Sequence, residues 1–176
     1  LLVPLHLKAM AEGSKRRQLA SEILAAAINK ASKELDEVDW IVGGDYNAEL
    51  ATGDFDALRK RGLVPLSAKD EQDGAFSYVK GPKSLIDHIF LSANMASTFG
   101  EDDFFIVAND KTIPGYVSKI SDHRPVLLRV SLHDVAAESV AYHPASDEPV
   151  RIPRSLLEAL RELNGTEAAA AAGSFR

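Results

Sequence analysis

The spacing of hydrophobic positions changes along the chain. Residues 3–7 carry a short apolar run ending in polar residues, expected as a strand edge. From Ala11 the period lengthens. Leu24, Ile28, Ala31 and Leu35 recur at helical spacing and Leu19 and Ile23 widen the stripe, so one helix is expected over residues 14–35. Residues 38–42, Val-Asp-Trp-Ile-Val, read as a buried strand that Gly43-Gly44 should stop, followed by an exposed loop. A short helix is expected over 54–61, closed by Gly62, and further strands over 75–79, 85–91, 104–107 and 125–132. Strands alternating with helices, and two neighbouring strands at 75–79 and 85–91, predict a layered α/β protein with mixed pairing rather than a bundle.

After His133 the pattern changes. Residues 144–149 are turn-like, 153–163 read as a short helix stopped by Asn164-Gly165, and 168–176 are of low complexity, with no apolar face to bury. The expected organisation is a domain over 1–133 and an appended tail over 134–176.

Composition narrows the class. A chain of 176 residues that is 45% hydrophobic and 26% charged suits one globular domain with a solvated surface, not a disordered segment. No apolar run approaches the length needed to span a bilayer. The first residues lack an initiator Met, a charged leader and a small-residue cleavage site, so the chain is expected to begin mid-structure rather than with a signal peptide. Absence of cysteine excludes disulfides and thiolate metal sites and leaves the compartment open, with a secreted or periplasmic location placed ahead of a cytoplasmic one. The formal net charge of -6 opposes strong nonspecific attraction to nucleic acid. Carboxylates gathered for a cation bias that count in the same direction, and a local basic cluster can still guide a polyanion.

Four segments place acids, amides and imidazoles at strand ends, where loops present side chains to a substrate. They are His6 after Val3-Pro4-Leu5; Gly44-Asp45-Tyr46-Asn47; Ile86-Asp87-His88-Ile89-Phe90; and Ser121-Asp122-His123-Arg124-Pro125-Val126. Phosphodiester hydrolysis needs an activated water, neutralised charge on the phosphoryl group and help for the leaving oxygen. Hard carboxylate oxygens suit Mg²⁺ or Mn²⁺. Asp45 and Asn47, two apart in an extended segment, would share a face and address one phosphate. Asp122 could meet metal while His123 meets phosphate, and Asp87 could orient His123 and stabilise its imidazolium. Each element also has a structural alternative: an Asx-turn for 45–47, a partly buried paired acid for Asp87, a satisfied strand-end histidine for His6, and a turn into a strand for 122–123. His88 and His133 are read as structural.

Together, Gly44-Asp45-Tyr46-Asn47, Ile86-Asp87-His88-Ile89 and Ser121-Asp122-His123-Arg124-Pro125-Val126 resemble the signatures of the endonuclease/exonuclease/phosphatase superfamily, over about residues 1–132. The resemblance implies a four-layer α/β fold, a two-sheet sandwich flanked by helices, with its N-terminal half missing from this chain. It implies that Asp45 and Asn47 position phosphate and nucleophile, that Asp122 binds metal and that His123 pairs with Asp87. Val3-Pro4-Leu5-His6 looks like the segment that carries a second catalytic histidine in pancreatic deoxyribonuclease-like members. The family's N-terminal Asn and metal-binding Glu have no counterpart here, so a complementary N-terminal fragment is an expected partner. Catalytic residues are thus expected to be His6, Asp45, Asn47, Asp87 and His123, with Asp122 on the metal.

Lys8, Lys15, Arg16 and Arg17 follow His6 closely. Lys8, Arg16 and Arg17 are taken as contacts to phosphates flanking the cleaved bond, a solvated helix start being the alternative. The leading expectation is a Mg²⁺- or Mn²⁺-dependent endonuclease acting nonspecifically on DNA or RNA. Alternatives are a lipid or inositol phosphate phosphoesterase, sphingomyelinase-like, and a noncatalytic fragment with an interaction tail.

Overall fold

The computed structural model describes residues 1–130. The expected tail over 134–176, with its helix at 153–163, and His133 lie outside the described residues. In chain order the elements are β1 (Leu2–His6), α1 (Ser14–Leu35), β2 (Ile41–Asp45), α2 (Asp56–Lys60), β3 (Leu63–Pro65), α3 (Ala68–Gln72), β4 (Asp87–Ser92), α4 (Ala93–Ala96), β5 (Phe104–Ile106), α5 (Asn109–Thr112), α6 (Tyr116–Lys119) and β6 (Val126–Leu128). The protein is mixed α/β: a four-stranded sheet ordered β1-β2-β4-β3 and a two-stranded sheet of β5 and β6. Pairing is mixed, with β1 parallel to β2 and the β2–β4 and β3–β4 pairs antiparallel.

Alternation along β4 shows how the layers form. His88 and Phe90 point to one face with Val42 and Tyr46. There Ile28 of α1 and Leu58 of α2 close a core, with Leu24, Ala25 and Ala31 packed against it. Ile89 and Leu91 point the other way and meet Phe104, Ile106, Val126 and Leu128 of the small sheet. The four-stranded sheet therefore lies between a helical layer and a second, shorter sheet.

Helix α1 occupies the span its periodicity predicts, and Asp36 ends it in the left-handed conformation with its N–H on Ser32 O. Its buried stripe is narrower than expected. Leu19 and Ile23 are 56% and 50% exposed, while Arg17 and Ser21 are buried. The strand expected at 38–42 begins later and passes through the two glycines to Asp45. Gly44 sits at φ 147°, where a Cβ would lie 2.0 Å from Leu5 O, so the glycine admits the neighbouring backbone instead of stopping the strand. Residues 75–79 form no strand; Tyr78 makes only single bridges to Ser84 and to His123. β3 has three residues and ends in a proline, which an edge strand tolerates, and has no alternation to read.

Candidate active site at the end of the central sheet

Register aligns the polar residues. His6 pairs with Asp45 in the β1–β2 ladder, and Asp45 pairs with Asp87 in the β2–β4 ladder. Directly opposed residues share a sheet face. His6, Asp45 and Asp87 therefore form a row across three adjacent strands, at one end of the sheet and on the face that carries β5 and β6. His6 Nε2 stands 3.5 Å from Asp45 Oδ2, and the imidazole is largely open to solvent.

Asp45 is held by Asn47. The chain turns as it leaves β2, and Asn47 takes the left-handed conformation at φ 54°, which asparagine accepts more readily than most residues. Its backbone N–H donates to Asp45 Oδ1 at 2.8 Å, and its side-chain amide donates to Asp45 Oδ2 and to Leu7 O, each at 3.0 Å. Asp45 and Asn47 thus meet through an Asx-turn, not through the strand pleat. Tyr46 between them points into the core, where its hydroxyl donates to Val42 O. Burial, opposed by the Asn47 N–H bond and reinforced by the Asp87 charge, raises the Asp45 carboxyl above its ordinary value.

His123 arrives from the other side of the chain. Residues 77–79 run beside 122–124, with Val79 N–H donating to Asp122 O at 2.9 Å and Arg124 N–H to Ser77 O at 2.7 Å. This seats His123 Nδ1 2.8 Å from Asp87 Oδ2. A carboxylate can only accept from it, so Nδ1 carries the proton and Nε2 is left for chemistry. Ser77 completes the group. Its buried hydroxyl accepts from the backbone N–H groups of Ile86 and Asp87 and donates to Asp87 Oδ2 at 2.6 Å. Tyr78 lies edge-on to the His123 ring with centroids 5.3 Å apart. Serine at 77 carried no signal in the pattern of the chain, because its role depends on contacts with residues ten positions away.

Donor atoms of Asp45, Asp87 and His123 lie within 4.8 Å of one another. Since His123 Nδ1 holds its proton against Asp87, the two carboxylates are the groups suited to a divalent cation. Hard carboxylate oxygens are the donor type that Mg²⁺ or Mn²⁺ would take. Asp122 does not join this group, although it neighbours His123 and is half-buried.

The basic residues separate. Lys8 and Arg16 are exposed near the start of α1. Arg17, expected on phosphate, is instead buried: Nε donates to Asp54 Oδ2 at 2.7 Å, and Nη1 to Lys8 O and Met10 O, each at 2.8 Å. Burial alone would raise the Asp54 carboxyl, but hydrogen bonds from Ser14, Arg17 and Gln18 and the Arg17 charge hold it below its ordinary value. Arg17 is a brace for the loop after His6. His88 is buried as expected of a structural histidine: Nε2 donates to Ala48 O at 3.0 Å and Nδ1 accepts from Ser67 Oγ at 2.7 Å. No helix among the described residues is long and apolar enough to cross a membrane. Comparison with known proteins returns no matching family model and no matching curated protein.

Proposed function

We propose that this protein is a metal-dependent phosphodiesterase, and specifically a nuclease, of the kind its motifs resemble. The observation that carries the reading is the row His6–Asp45–Asp87 across three strands, joined by His123 through its bond to Asp87. Hydrolysis forms a bond from water oxygen to phosphorus and breaks the bond to the leaving oxygen, so one proton must leave the water and one must reach the leaving group. Asp45, its proton affinity raised by burial, accepts the proton of the attacking water, and Asn47 fixes its orientation. His123 acts as the imidazolium, protonated on both nitrogens: Nδ1 donates to Asp87, whose charge stabilises the cation, and Nε2–H donates to a phosphoryl oxygen as negative charge develops there. His6, at the open edge of the row, delivers the proton to the leaving oxygen. Mg²⁺ or Mn²⁺ held by Asp45 and Asp87 would neutralise charge on the phosphoryl group.

The four-layer sandwich and the complementary N-terminal segment with its metal-binding glutamate belong to the same proposal and rest on the resemblance alone. Plasmid nicking and cleavage of a chromogenic diester test it, for this chain alone and for the chain joined to such a segment. Activity that requires Mg²⁺ or Mn²⁺, stops with EDTA and is lost in Asp45→Ala and His123→Ala is expected. No metal-dependent diester cleavage in either form would overturn the reading, and lipid headgroup release without nicking would replace the nuclease by a lipid phosphoesterase.

A further inference from the structure

Two segments flank His123 and leave a cleft between them. On one side Val79 donates its N–H to Asp122 O at 2.9 Å, and the loop continues through Lys80 and Gly81 to Lys83. On the other the buried Tyr116 donates its hydroxyl to His123 O at 3.0 Å. A cavity of about 390 Å³ opens among Lys80, Asp110, Tyr116, Val117 and Ser118. Its walls are thus tied to the backbone of the residues that carry the candidate chemistry.

The charges in this cleft are unbalanced in one direction. Arg124 donates to both carboxylate oxygens of Asp110, at 2.7 and 3.0 Å, and so neutralises the acid. Lys80 is exposed and makes no ion pair among the described residues. Val117, 40% exposed, supplies an apolar surface beside it. The loop is preset: the Tyr78–Ser84 bridge closes it, Gly81 turns it at φ 86°, and Lys83 rests on the Phe76 ring at 4.6 Å. An uncompensated cation next to an apolar wall suits a repeating unit of phosphate and ring.

We infer that the cleft between Lys80 and the 116–118 turn holds the polynucleotide strand running on from the cleaved phosphate, with Lys80 on a flanking phosphate and Val117 against the adjoining sugar or base. The inference rests on the nuclease reading and adds to it the place where the substrate strand lies and the residues that hold it. Ile113 and Ile120 are also exposed on this segment, at 40% and 63%, and offer the rival partner, a lipid surface. The concave placement of Val117 favours a strand, because membrane docking calls for an apolar face laid flat on the bilayer.

The test measures binding of a fluorescent single-stranded oligonucleotide by anisotropy in EDTA, where no turnover occurs, across a salt series. Lys80→Ala is expected to weaken binding several-fold and to reduce the slope of log affinity against log salt by about one. Lys33→Ala, the same charge change in the last turn of α1, should leave the slope as it is. Val117→Glu, which puts an anion in the cleft without touching Lys80, should weaken binding too. A Lys80→Ala slope equal to wild type overturns the proposal, as does anionic-vesicle binding that depends on Val117 while oligonucleotide binding does not. Binding sensitive to Lys80 in a protein that cleaves no diester would sustain the cleft and remove the hydrolytic reading, so the two fail separately.

Discussion

His123 donates from Nδ1 to Asp87 Oδ2 at 2.8 Å, across 36 positions of sequence. If the pair acts as one unit, removing either member should remove most of what the other contributes. Asp87→Asn and His123→Ala are each expected to lower kcat by about 10²- to 10⁴-fold, the range for a positioned acid or base. The double variant should fall little further than the worse single one, because groups that act together are not additive. Steady-state kinetics on a small diester checks this, and multiplied losses in the double variant would separate the two residues.

Ser77 supplies a second hydrogen bond to the same oxygen and absorbs two backbone donors. Ser77→Ala leaves the part-buried N–H groups of Ile86 and Asp87 without this acceptor, at a cost of about 1–3 kcal/mol in stability. It also frees Asp87 to rotate, so kcat should drop with KM nearly constant. Ser77→Thr keeps the hydroxyl and should recover kcat. Urea denaturation beside kinetics distinguishes this from a purely structural role, in which stability alone would change.

The legible part of the molecule is that in which one residue type has one use. The period of α1 fixes a helix because Leu24, Ile28 and Ala31 can be buried only together, and the acids and imidazoles at strand ends are visible because aliphatic runs precede them. Residues with two possible uses could not be sorted. Arg17 reads as a phosphate contact in a basic run, yet it is buried because Asp54, 37 positions away, folds against it. Gly44 reads as a strand breaker, yet the close approach of Leu5 requires it inside the strand. Ser77 and β3 draw their meaning from pairing partners. Those partners are a property of topology, which local pattern does not contain.

Arg17 and Asp54 form a pair with side-chain exposures of 4% and 0%. Arg17→Met strips a buried carboxylate of its counter-charge and is expected to cost about 3–5 kcal/mol. Arg17→Lys should rescue little, since an ammonium cannot direct donors to Asp54, Lys8 O and Met10 O together. Arg16→Ala, on the exposed face, should leave stability nearly unchanged. Thermal melts of the three variants check the ranking, and a stable Arg17→Met would return Arg17 to the surface role first expected of it.

His88 makes stability depend on pH in a defined window. Burial, offset by its bond to Ala48 O, lowers its pKa from 6.5 to about 4. Between these values the unfolded chain binds a proton that the folded protein refuses, so stability should rise with pH from about 4 to 6.5 and level off above. The span corresponds to on the order of 3 kcal/mol. His88→Gln removes the titration and should flatten this part of the curve while lowering its plateau. Denaturation at intervals across that range tests the point: an unchanged slope in the variant would assign the acid sensitivity to groups other than His88.

Asp45 and Asp87 face each other across β2 and β4, and the Asp87 charge adds to burial in raising the Asp45 carboxyl. A raised carboxyl means that the folded protein holds its proton more tightly than the unfolded chain, so ionising Asp45 as pH rises through its folded value weakens the fold. A divalent cation held by both carboxylates would remove that penalty. Mn²⁺ at a hundredfold excess over its Kd should therefore stabilise the protein by about 2.7 kcal/mol. The shift in Tm should shrink as pH falls into the carboxylate range, where protons compete for the same oxygens. Asp45→Asn removes the like charge but also one acceptor for the Asn47 donors, so the metal-free Tm should move little, while the Mn²⁺ shift is abolished. A Mn²⁺ shift that survives in Asp45→Asn would place the cation elsewhere, with Asp122 the next residue to vary.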